Sequence, residues 1–168
     1  LLMSAFVRLD RLFIAEYGGF SQLGKYSAAI QIAENWFVLA GIVSQSIAPR
    51  YIYAGVSNKE VDANIQRLFI FYVAGAILGS LILMLLAPLI IKIIFGDAYK
   101  DAAVFLGRLG FVSIGVFVDS LFNTLMMKER AAKWVGIKWL GALIGGLAVN
   151  YLFISSLGVW ASILALYV

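Results

Sequence analysis

The stretch LFIFYVAGAILGSLILMLLAPLII, residues 68–91, decides the fold. It carries no ionisable side chain except Tyr72, and about 20 such residues suffice for one helical crossing of a bilayer. A second stretch, Trp139 to Val168, has no acid or base apart from tyrosines. Both are too long for barrel strands and lack their alternation, so they read as helices. The composition agrees: 63% of the 168 residues are apolar, 13% are charged, and the mean hydropathy is +0.97. Soluble domains carry about 25% charged residues. The sequence therefore predicts an all-α membrane protein that crosses the bilayer several times.

Working outward, six spans are expected, at about 1–17, 25–47, 68–94, 102–127, 134–155 and 158–168, with the first and last incomplete. A polar, partly helical approach over Ser57–Arg67 precedes the third. The first residue is Leu and the last span stops about half-way across a bilayer, so a longer protein is expected around this chain. The absence of Cys and His removes disulfides, the usual zinc sets, thiol nucleophiles and Ser-His-Asp arrangements. No catalytic group, metal site or cofactor is expected. The net charge of +4 is no nucleic-acid footprint, because most basic residues flank the spans.

Those flanks sort by sign. Arg50, Lys59, Arg67, Lys128, Arg130, Lys133 and Lys138 lie at alternate connections, against Lys25, Lys92 and Lys100 at the others. Seven basic residues against three is the positive-inside pattern, which places 50–67 and 128–138 in the cytoplasm and 18–25 and 96–101 outside. Gly75-x-x-x-Gly79 and Gly141-x-x-x-Gly145 read as close helix contacts. Pro88 reads as a static bend, and Asp97 and Asp101 as caps.

Charge inside the spans is the candidate site. Arg8, Asp10 and Arg11 place three charges within four residues of a membrane helix. Each adds roughly 2.5–3.5 kcal/mol at a helix centre unless paired, wetted or near the interface. They form either the charged wall of a transport path or a mutually neutralised structural cluster. In the second span Ser27, Gln31, Glu34, Gly41 and Gln45 share a face, with Asn35 beside it. Glu34 is protonated, hydrogen-bonded to Gln31 or a neighbouring helix, or functional. The fourth span repeats the pattern with Ser113, Ser120, Asn123 and Thr124, and Asp119 at its edge. Asp119 and Asn123, one turn apart, could share an ion or a proton, whereas Arg108 is within snorkelling reach of headgroups. Three polar faces in one apolar chain predict a bundle around a hydrated cavity. Arg8 and Arg11 would suit a diphosphate; Asp10, Glu34 and Asp119 would suit a coupling proton or sodium ion.

The residues Arg8-Leu-Asp-Arg-Leu-Phe-Ile14, Gly18-Gly19 and Leu23-Gly-Lys-Tyr-Ser-Ala-Ala29 resemble the opening of the second half of bacterial polysaccharide flippases. Pro49 after Ser44-Gln-Ser46, Ala87-Pro-Leu-Ile90 leading to Phe95-Gly96 and Tyr99, Lys128-Glu-Arg130, and Gly158 continue the match in order. The resemblance implies helices seven to twelve of a MATE-like, twelve-helix transporter, whose other lobe lies upstream in the same chain. It implies alternating access and an undecaprenyl-diphosphate-linked oligosaccharide as cargo, for O-antigen, capsule or exopolysaccharide, in the bacterial cytoplasmic membrane. Asp10 matches the family's acidic position. The competing readings are a cation-coupled multidrug exporter, disfavoured by two cavity arginines, and a membrane-embedded ligase or polymerase, disfavoured by short outward loops. An inert scaffold would not need the polar stripes.

Overall fold

The computed structural model describes residues 2–48, 58–128 and 130–167; Pro49, Arg50 and Glu129 lie outside these. Among the described residues the chain is α1 (Leu2–Ala48), α2 (Asn58–Phe95), α3 (Ala102–Lys128), α4 (Ala132–Leu157) and α5 (Val159–Ala165), without strands. A 3-10 turn, Asp97–Tyr99, joins α2 to α3. Four helices are long and apolar enough to cross a membrane. The described residues are thus all-helical, and their four candidate spans are consistent with a multi-pass membrane protein.

α1 is not one rod. Gly19 has φ 76° and ψ 168°, a conformation open essentially to glycine alone. Arg11 and Glu34 would stand about 35 Å apart on a straight helix, yet their side chains meet at 2.8 Å. The chain therefore folds back at Gly19 into a helical hairpin, whose arms are the first two expected spans. The loop expected over 18–25 contracts to that single residue, because one left-handed glycine is enough to reverse the axis. Gly96, with φ 80° and ψ 179°, turns the chain between α2 and the 3-10 element in the same way.

The Gly19 corner and the α2–α3 connection lie at one end of the bundle, held by Lys25 Nζ donating to Asp101 Oδ2 at 2.6 Å. Asp97 pairs with Lys92 at 3.5 Å. Both aspartates, expected as caps, thus act as ion-pair partners, and the 3-10 turn has no side-chain cap.

Packing is densest between α2 and α3. Ala76, Ser80, Leu83, Ala87 and Ile91 recur at helical spacing and are buried, while Leu78, Ile82, Leu85, Leu89 and Ile93 between them are exposed. That split gives one protein-facing and one lipid-facing side. Opposite the buried face, a Cβ on Gly110 would stand 3.3 Å from the Ser80 carbonyl oxygen. Ser80 Oγ lies 2.7 Å from the Gly110 carbonyl and 3.1 Å from Ser113 Oγ. Small residues allow this approach and the hydroxyls fasten it. The close contacts expected at the paired-glycine motifs are only partly present. Gly79 backs onto the Trp36 ring, where any side chain would collide, but Gly75 and Gly141 face no neighbour. Gly75 is rotated away from the buried face of α2, so its lack of a side chain brings no helix closer. Pro88 lies within α2 without ending it.

Candidate functional site: two charged clusters

The hairpin holds the first cluster. Asp10 is 3% exposed and Tyr26 fully buried. Tyr26 Oη donates to Asp10 Oδ2 from the opposite arm, and the Arg11 backbone N–H donates to Asp10 Oδ1 at 2.7 Å. The corner makes this pairing natural, since Asp10 stands nine residues before Gly19 and Tyr26 seven after it. Arg11 Nη2 reaches across to Glu34 Oε1 at 2.8 Å, with both side chains about one-third exposed. The ionic partner of Arg11 is thus in the next helical arm, so the Arg8–Asp10–Arg11 run is not neutralised within itself. Glu34 takes its hydrogen bond from a neighbouring helical arm, one of the arrangements its sequence context allowed. Arg8 is exposed and has no ion pair among the described residues. Arg11 Nε has no hydrogen-bond partner there either.

Beside Asp10 is a narrow cleft lined by Leu9, Leu143, Asn150, Ser162 and Leu166, with room for about one water molecule. Ser162 Oγ donates to Asn150 Oδ1 at 2.7 Å, and Asn150 Nδ2 to the Gly146 carbonyl at 3.0 Å. This polar floor under Asp10 comes from α4 and α5. A diphosphate does not fit it.

The second cluster joins α3 to α4. Lys138 Nζ donates to Asp119 Oδ1 and, at 2.6 Å, to Asn123 Oδ1; Asn123 Nδ2 donates to Asp119 Oδ2 at 2.8 Å. The three groups close a triangle, with Asp119 and Lys138 each 32% exposed. The two aspartates do not converge: each belongs to its own cluster. The remaining polar positions also pair locally. Ser44 Oγ lies 2.8 Å from Thr124 Oγ1 and donates to the Ser120 carbonyl at 3.1 Å, while Ser113 meets Ser80. Among these residues the polar faces of the spans meet two at a time, in place of a single shared chamber. Arg108 is exposed, its guanidinium 5.9 Å from the Trp160 ring centroid.

Four residues of these clusters were not singled out as site residues in the sequence. Tyr26 sits in the Leu23–Ala29 motif without a role there, and Asn150 and Ser162 lie in the fifth and sixth expected spans, in the stretch 139–168 that has no acid or base apart from tyrosines. Lys138 was read only as a topology signal. A signal for it existed: Asn123 and Lys138 are nearly equidistant from the α3–α4 connection around Arg130, so antiparallel helices bring them level, with Asp119 one turn away.

No family model matches the chain, and neither a curated protein nor a solved structure matches it.

Proposed function

We propose that this chain is one lobe of a transporter that carries an undecaprenyl-diphosphate-linked oligosaccharide across the bacterial cytoplasmic membrane by alternating access. The observation that carries the reading is the arginine ridge on the first arm of α1. Arg8 is exposed without a counter-ion among the described residues, one turn from Arg11, whose Nε donor is unmatched. Unmet guanidinium donors on a membrane-crossing helix suit an anion that brings paired oxygens, as a diphosphate does. A cationic drug would gain nothing from this ridge, which ranks the multidrug-exporter reading second.

Glu34 then has a defined task. It holds Arg11 in the absence of cargo, and an arriving diphosphate competes with it for the guanidinium. Asp10, fixed by Tyr26, and Asp119 with Asn123 are the candidates for coupling a proton or sodium ion to the movement. The connections 50–67 and 128–138 face the cytoplasm in this reading.

The test is polymer export in cells whose only copy of the full-length protein carries Arg8→Ala or Arg8→Lys. Export is expected to be abolished by Arg8→Ala, with the protein still inserted in the membrane, and partly kept by Arg8→Lys. Unchanged export in Arg8→Ala would remove the ridge from the cargo path.

A further inference from the structure

α4 is held differently from the other long helices. Half of the most apolar 18-residue window of α3 is buried, but only 17% of that of α4. α3 packs mainly on α2 and α1 and touches α4 little. Their connection is short, with Arg130 in the left-handed region at φ 55°. Across this sparse contact the Lys138–Asp119–Asn123 triangle is the polar tie, and every bond in it is made by a side chain.

Lys138 is bracketed by Gly136 and Gly141. A Cβ at either position would meet nothing within 4 Å, so close packing does not account for these glycines. A glycine inside a helix costs about 1 kcal/mol relative to alanine, and glycines are where helices bend. Gly136 and Gly141 therefore loosen the turns of α4 on either side of the residue that ties it down, as Gly145 and Gly146 do further along. The ammonium also lies 5.1 Å from the Trp139 ring centroid, which keeps it near the helix surface and not far out in solvent.

We propose that Lys138 is a positioning residue: with Asp119 and Asn123 it forms a charge clasp that pins the connection-side end of α4 to α3. Release of the clasp lets that end swing about the Gly136–Gly141 segment. The far part of α4 stays in place, because it is seated through Ile154 in the same core as α1, α3 and α5. The clasp is one-third exposed, so water or a competing ion can reach it, and pairs of that kind break at small expense. This movement is independent of what the protein carries.

The experiment uses spin-label distances in the full-length protein in lipid vesicles, with cysteine pairs introduced as label sites. One pair is Phe122→Cys with Trp134→Cys, both exposed and on either side of the clasp; the control pair, Val104→Cys with Tyr151→Cys, lies at the far end. With Lys138 present the first pair is expected to give a single short distance. Lys138→Met is expected to add a longer population there and none in the control pair. Adding Gly136→Ala and Gly141→Ala to Lys138→Met should shrink that population. An unchanged distribution in Lys138→Met, or an equal shift in the control pair, would overturn the clasp. Should Lys138→Met fail to fold, the exchange Asp119→Lys with Lys138→Asp decides: a single short distance supports the clasp, and a long population overturns it.

Discussion

The cluster inside the α1 hairpin and the one between α3 and α4 use the same kinds of residue for opposite ends. In the hairpin, Asp10 and Tyr26 are buried together, and the pairing is enforced by the Gly19 corner. Between α3 and α4, Asp119 and Lys138 are each about one-third exposed, and the two helices touch little. A hydrogen bond sealed from solvent holds a fixed shape, because a broken bond leaves an unsatisfied group behind. A pair open to water can be exchanged. The difference separates a rigid frame around Asp10 from a tie that can be undone at Lys138.

The largest test of this contrast is Tyr26→Phe. It strands one carboxyl oxygen of buried Asp10, so it should lower unfolding stability by about 1–3 kcal/mol. A thermal shift below that of Lys138→Met would reverse the ranking of the two clusters. Gly19→Ala comes next, since a non-glycine residue in that backbone region costs roughly 1–3 kcal/mol. It should also weaken the Asp10–Tyr26 and Arg11–Glu34 pairings together, visible as faster hydrogen exchange along both arms. Lys138→Met should change stability by less than about 1 kcal/mol, as expected for a partly exposed pair. Thermal denaturation of the purified protein measures it.

The smallest effect belongs to Lys25 and Asp101 at the hairpin end. The Lys25 ammonium donates to the Asp101 carboxylate and holds its pKa below the ordinary 3.8. A carboxylate lowered on folding adds stability above its ordinary value and loses it as pH falls through the lowered one. Asp101→Asn should therefore differ slightly from the unaltered protein at neutral pH. The difference should vanish in strong acid, where the bridging carboxylate is protonated in both states.

Much of the architecture was legible in the sequence because hydrocarbon imposes a simple requirement. Residues 68–91 can satisfy their backbone only as a helix, and α2 covers them. The hairpin was legible as two spans, but its corner was not, since Gly18-Gly19 does not say which glycine turns. Glu34 and Arg11 were both singled out, yet their pairing was not, because they lie at unequal distances from Gly19 and meet only through the reach of the arginine. Lys138 was hidden by its own usefulness: a lysine near a connection reads as a topology signal, and that reading masks its place level with Asn123 across the connection. The paired glycines misled in the opposite direction. Spacing marked Gly75 and Gly79 as one motif, but only Gly79 lies against another helix.

In the proposed function, the arginine ridge of α1 receives a diphosphate-bearing lipid. That claim is met most directly by reconstituting the full-length protein in vesicles and following the transfer of undecaprenyl-diphosphate-linked oligosaccharide between leaflets. The unaltered protein should transfer it, and Arg8→Ala with Arg11→Ala should slow transfer by at least about tenfold, roughly the 1.4 kcal/mol of one lost charged contact. Equal rates in the two proteins, or no transfer by the unaltered one, would contradict the account.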